Sequence, residues 1–176
     1  ILGLTQIFLG DFAPSRAHLL QTLMLYDPER DHDLAFRYAQ NPGIAAQALL
    51  SWVLWLLGHA DQAKAESEKA LAAAELLGHG QTSVHALFHA GCMLGYLLRN
   101  TEATATNAER LVSLSEEHGI WTWLPLAKVL LGWTDIARGG AEMGLDRIDA
   151  VLNDPETPTI TYNRTLVAAI RAEGLI

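Results

Sequence analysis

Helix-breaking residues fall along this chain at intervals of helical length, and that punctuation limits the fold more than any other feature. Gly10, Asp27-Pro28, Asn41-Pro42, Gly58, Gly78 to Gly80, Asn100, Gly119, Gly139-Gly140, Asp154-Pro155 and Thr157-Pro158 are the breaks. The segments between them read as helix, because strand-forming runs of Val, Ile and Thr are almost absent and Ala and Leu dominate the apolar share. Asn41 before Pro42 is a start signal, since Asn can cap free amides and Pro tolerates the first helical position. Gly58 and Gly119 are stops, able to take the left-handed conformation that closes a helix.

Two kinds of helix alternate. Residues 43–57, 82–98 and 121–138 are apolar nearly all round, whereas 61–77, 102–118 and 141–153 carry one apolar stripe and one charged face. In the second kind Ala63, Ala70, Ala74 and Leu77 share a side while Lys64, Glu68 and Glu75 point away; Leu111 and Val112, then Leu145, Ile148 and Leu152, repeat the scheme. A small residue followed seven positions on by a turn recurs at Gly3, Ser51, Cys92 and Gly132, with steps of 48, 41 and 40. The polar loop Tyr26 to Asp33 accounts for the longer first step. The expected architecture is all-α: a right-handed α-solenoid of stacked antiparallel helix pairs with a period of about 40. The pairs span about 1–25, 43–77, 82–118 and 121–153, with a partial last helix at 160–176, in a single domain over 1–176.

A chain of 176 residues can bury roughly 70% of its unfolded surface, so no disulfide or metal is required. Twelve basic against 20 acidic residues, a net charge of -8 without a Lys/Arg cluster, repel phosphate backbones and anionic membranes. The most apolar stretch, 44–57, has 14 residues, short of the ~20 that span a bilayer. With a lone Cys92 and no cleavable leader, a cytoplasmic location is expected. The chain opens on Ile1 and stops at Ile176 without a polar tail, so it is read as a fragment of something longer.

The run Gly58-His59-Ala60-Asp61-Gln62-Ala63 followed by Ala70, with Ser51 at the small position, resembles the turn and second helix of a tetratricopeptide repeat. A second resemblance runs through His18-Leu19-Leu20, Leu25 to Arg30, Phe36-Arg37-Tyr38, Asn41-Pro42-Gly43, Leu54 to Gly58 and Gly132-Trp133. Together these are similar to the C-terminal tetratricopeptide-like region of bacterial multidomain signalling proteins that join a class III adenylate/guanylate cyclase to a predicted ATPase. His79-Gly80 stands where that family usually shows His-Pro, and 154–165 departs from its pattern. The resemblance implies a parent that makes cyclic nucleotide and hydrolyses ATP, with this segment as a non-enzymatic sensor or docking arm. The segment itself has no Walker-type phosphate loop.

Candidate sites divide into weak and stronger ones. His85, His89 and Cys92 could set three ligands on one helical face for zinc, but apolar neighbours Val84, Leu87 and Phe88 point to helix packing, and no metal or other cofactor is expected. Asp31-His32-Asp33 could tune an imidazole, yet neighbours on a loop rarely converge, and capping aspartates are the simpler reading. Ser15 with His18, and Cys92 with His89, are nucleophile-and-base pairs lacking an orienting acid nearby. Of the tryptophans 52, 55, 121, 123 and 133, the repeat register sets Trp52 and Trp55 on a groove-facing side, with His89, Tyr96 and Trp133 in later repeats. These five residues are the expected partner-binding set. The expected role is protein-protein interaction or signal relay, with a protein, a peptide or other domains of the parent as partner. A small-molecule sensor pocket between inner helices and a self-associating scaffold, possible through homodimerisation, are the alternatives.

Overall fold

The computed structural model describes residues 2–154 and 160–175, and among them all regular structure is helical. Two compact units result, residues 1–94 and residues 95–176. Pro155, Thr157 and Pro158, named above as breakers, and the termini Ile1 and Ile176 lie outside the described residues.

In the first unit α1 (Leu2–Leu9) and α2 (Phe12–Leu25) form an antiparallel pair about Gly10. A Cβ at Gly3 would lie 2.9 Å from the Leu19 side chain, and the buried Ser15 hydroxyl donates to the Gly3 carbonyl at 2.7 Å. Ser15 is thus committed to joining two helices rather than facing His18. The expected polar loop from Tyr26 to Asp33 contains a helical turn, α3 (Pro28–Asp31), because Asp27 caps it by accepting from the amides of Glu29 and Arg30. A further short helix, α4 (Leu34–Tyr38), ends in Ala39 with φ 59°.

The start signal at Asn41 holds: its side chain accepts from the Ile44 amide at 3.0 Å and opens α5 (Pro42–Leu56). Asn41 also donates to the Tyr26 hydroxyl at 2.8 Å and, through its backbone amide, to Thr82 Oγ1 at 3.1 Å, tying α2, α5 and α7 (Gly80–Ala86) together. Residue 43 must be glycine because a Cβ there would sit 2.3 Å from the Tyr26 ring.

After Gly58, α6 (Ala60–Leu77) returns against α5. Of its expected stripe Ala63, Ala70 and Ala74 are buried and Leu77 is partly buried, while Lys64, Glu68 and Glu75 are exposed. Small side chains let the helices approach, and Ala48, Ala70 and Ala90 form one contact cluster, Ile44, Ala74 and Ala86 another. The expected inner helix at 82–98 is not uniformly α. Between α7 and α8 (Leu94–Leu97) the backbone widens into a π-helical stretch, Leu87–Met93, every residue of which is buried.

In the second unit α9 (Thr101–His118), capped by Asn100 through the Ala103 amide at 3.0 Å, packs on α10 (Leu124–Ala137). The helix expected from residue 121 begins at 124, since Pro125 sits in the first helical turn and Trp121 is left exposed. Helices α10 and α11 (Ala141–Leu152) cross closely, as the small position Gly132 requires: a Cβ at Gly144 would be 2.4 Å from the Gly132 carbonyl oxygen. Gly144, Ile148 and Val151 form the buried stripe of α11, whereas Leu152, expected on it, is exposed because it falls about 100° further round the helix than Val151. The last helix, α12 (Ile160–Glu173), packs on α10 and α11 through buried Val167 and Ile170.

Candidate functional site

Each unit holds one cluster that joins aromatic rings to polar groups. In the first, Trp52 on α5 lies half-buried with its ring 4.7 Å from His89 and 6.5 Å, edge-on, from Phe88. Its indole Nε1 donates to the His89 backbone carbonyl at 2.5 Å. From the other side Ser67 on α6 donates to the Ala90 carbonyl at 2.8 Å. The widened turn is where these carbonyls sit, so α5 and α6 stitch the π stretch from two sides; a widened turn disrupts the i to i-4 ladder, and side-chain donors satisfy what it leaves.

His85 and His89, four apart, lie with ring centroids 4.2 Å apart and planes tilted by 47°, on one side of the helix as the sequence spacing suggests. Burial holds His85 down at about 4, and burial together with the neighbouring His85 holds His89 well below its usual value. Both rings are therefore neutral near pH 7. Cys92 is fully buried, and burial pushes its thiol well up, so the thiolate needed for nucleophilic or metal chemistry is suppressed. Among the described residues no group of three His, Cys, Asp or Glu side chains is placed to hold a metal ion.

The Asp31-His32-Asp33 segment does not converge either. Asp31 is taken up by Arg30 at 2.6 and 2.7 Å and by the Asp27 amide at 2.9 Å. Those bonds hold its carboxyl down at about 2. His32 contacts the Glu29 carbonyl at 2.9 Å and Asp33 at 3.0 Å on the exposed surface.

In the second unit three side chains, 40 to 77 residues upstream, meet at one carboxylate. Tyr96 on α8 and Trp133 on α10 pack edge to face at 5.1 Å, with the Arg99 guanidinium carbon 5.6 Å from the Tyr96 centroid and 5.9 Å from that of Trp133. Glu173, near the end of α12, accepts from the Tyr96 hydroxyl and the Trp133 indole Nε1, both at 3.0 Å, and pairs with Arg99. Burial opposes the charge on Glu173, but the bonds from Arg99, Trp133 and Tyr96 outweigh it and hold the carboxyl below its usual value. Burial, then the facing carboxylate, pushes Tyr96 up to about 12, so it stays a donor. Arg99 occupies left-handed backbone, φ 56°, at a turn position where Gly10, Gly58 and Gly139 serve elsewhere. A side chain there costs about 1–2 kcal/mol relative to the right-handed region.

The five expected partner-binding residues are thus split. Trp52 meets His89 in the first unit, and Tyr96 meets Trp133 in the second. His89 and Trp133 are 5% and 2% exposed, so they stand as walls rather than as presented surface. Trp52, Trp55 and Tyr96 retain partial exposure. Sequence reasoning passed over Arg99 and Glu173. The signal for Arg99 was a long cationic side chain where other turns have glycine; Glu173 gave none.

No family model, curated protein or solved structure matches the chain. No helix among the described residues is long and apolar enough to cross a membrane.

Proposed function

We propose that the chain is a non-catalytic docking and relay element, built as a right-handed α-solenoid of degenerate tetratricopeptide-like pairs. The observation that carries this reading is a repeated three-helix arrangement. In the first unit α5 packs on α6, and both pack on the α7 and π segment; in the second α10 packs on α11, and both pack on α12. Trp52 and Trp133, each one residue after a small position, reach the third helix of their triads, 37 and 40 residues downstream. Elements that bury their faces only against the next copy form extended arrays, and such arrays offer binding surface rather than an enclosed reaction site. The resemblance noted above supplies a setting, in which the element docks on the cyclase or ATPase parts of a cytoplasmic signalling protein and biases their output. The net charge of -8 favours a protein over a nucleic acid as partner.

The test is binding to cyclase and ATPase domains of that signalling class. Trp55→Ala, a half-buried position, is expected to keep the far-UV helical signal and weaken binding at least about tenfold, the loss of one aromatic anchor. Wild-type chain that binds neither domain, or a variant that binds unchanged, ends this reading.

Self-association is a second reading, favoured by exposed apolar side chains on the first helices: Phe8, Leu9, Met24, Leu25, Phe36 and Tyr38 are all more than two-thirds exposed. Sedimentation velocity would then show a dimer that Met24→Glu dissociates; a concentration-independent monomer rules it out.

A further inference from the structure

Three chemically different donors converge on the Glu173 carboxylate: a phenol, an indole and a guanidinium, from α8, α10 and the turn between α8 and α9. One carboxylate oxygen takes Trp133 and Arg99, the other takes Tyr96. The donors are held independently of their acceptor. Tyr96 and Trp133 brace one another edge to face, and Arg99 lies over both rings. Trp133 is buried on all sides but its polar edge needs an acceptor, and Arg99 occupies backbone that an arginine rarely adopts.

The acceptor is the less firmly fixed partner. Of the described side chains of α12 only Val167 and Ile170 are buried, the helix breaks at Asn163 with φ -115° and ψ 16°, and a further anchor among the described residues is the partly exposed Arg171–Asp149 pair at 2.7 Å. The equivalent indole in the first unit is bound to a backbone carbonyl, which cannot leave without unwinding the helix; the one in the second is bound to a side chain, which can.

We propose that Tyr96, Arg99 and Trp133 form a receptor for a single carboxylate, occupied within the chain by Glu173 and open to an acidic side chain of a partner when the end of α12 lifts. Charge-assisted bonds from a guanidinium and a flanking aromatic N–H select a carboxylate over a neutral amide. The inference rests on the docking reading only for who supplies the carboxylate, and its test uses no partner domain, so the two can fail separately.

Glu173→Ala in the full chain removes the side chain beyond Cβ and leaves room for acetate. Acetate is the probe. Its addition is expected to raise the melting temperature of Glu173→Ala saturably and to move the Trp133 indole N–H resonance, identified by its absence in Trp133→Phe. Chloride at equal ionic strength should do neither, and adding Arg99→Ala should abolish the acetate response. A folded Glu173→Ala that responds to acetate and chloride alike, or to neither, overturns the receptor. If Glu173→Ala does not fold, Glu173→Gln keeps the side-chain volume and tests the same point by hydrogen exchange. Amides of residues 164–173 should then exchange at least tenfold faster than in wild type, while those of 101–118 are unchanged; equal rates overturn the proposal.

Discussion

The two helix triads place a tryptophan in the same role and satisfy it in opposite ways. Trp52 gives its N–H to a backbone carbonyl among neutral rings, with His89 and Phe88 packed about it and His85 against His89. Trp133 gives its N–H to a carboxylate shared with an arginine and a tyrosine. One arrangement of helices can thus be closed by packing or by ion pairing. The first kind is fixed by the chain path and yields to acid only through its buried imidazoles; the second depends on an ion pair, and so on salt and competing anions.

The comparison breaks most visibly where the second triad depends on close approach. Gly144→Ala forces a methyl group to within 2.4 Å of the Gly132 carbonyl oxygen, and backbone atoms yield less readily than side chains. A loss of about 3 kcal/mol or more is expected in denaturant unfolding; a loss under about 1 kcal/mol would mean that α10 and α11 are not seated as described.

Acid separates the triads next. His85 and His89 bind fewer protons folded than unfolded, so their contribution is present above the ordinary value of 6.5 and is lost as pH falls towards about 4, the folded value of His85. At 1.36 kcal/mol per unit, His85 alone destabilises the fold by about 3 kcal/mol across that window. A resonance assigned to His85 or His89 that titrates near 6.5 in the folded protein would contradict the burial argument.

Removing the indole donors gives a smaller and graded effect. Trp133→Phe leaves a partly buried charge short of one donor and should cost about 2 kcal/mol, while Trp52→Phe strands a neutral carbonyl and should cost about 1 kcal/mol, each beyond the lost ring area. Equal losses by chemical denaturation would remove the distinction drawn between the two clusters.

The smallest effect is the pH dependence owed to Glu173. Its folded value is depressed, so its contribution is present above the usual 4.5 and fades as pH falls through that lower value. Glu173→Gln should flatten the stability profile below pH 4.5, leaving the slope between 6.5 and 4 that belongs to the histidines. Coincident profiles for the two proteins would show that the carboxylate is not held as described.

Much of the helical plan could be read in advance because its signals are local. Asn41, Gly58 and Gly119 act within one turn of the helix that they start or stop, and the Ala63, Ala70 and Ala74 stripe is a pattern within one segment. What escaped was of two kinds. The stretch 84–95 is buried at every position, so no polar face exists against which a change of helical pitch could be noticed. The carboxylate cluster joins residues 40 to 77 apart, and no pattern within a helix encodes such a meeting. The short helix α3 was hidden for a different reason: Asp27-Pro28 reads as a turn, yet the same pair is a cap followed by a first helical residue.

The π stretch has a consequence for chain length. The step from Ser51 to Cys92 is 41 residues, one more than the step of 40 that follows. An extra residue in a strict α-helix would swing every later side chain by about 100° and carry Leu94 and Gly95 off their contacts. Spread over a bulged coil, that residue is accommodated locally. Leu87–Met93 thus takes up an odd count in the polypeptide, and just past it Gly95 leaves no room for a side chain, since a Cβ there would sit 2.6 Å from Thr104 Oγ1.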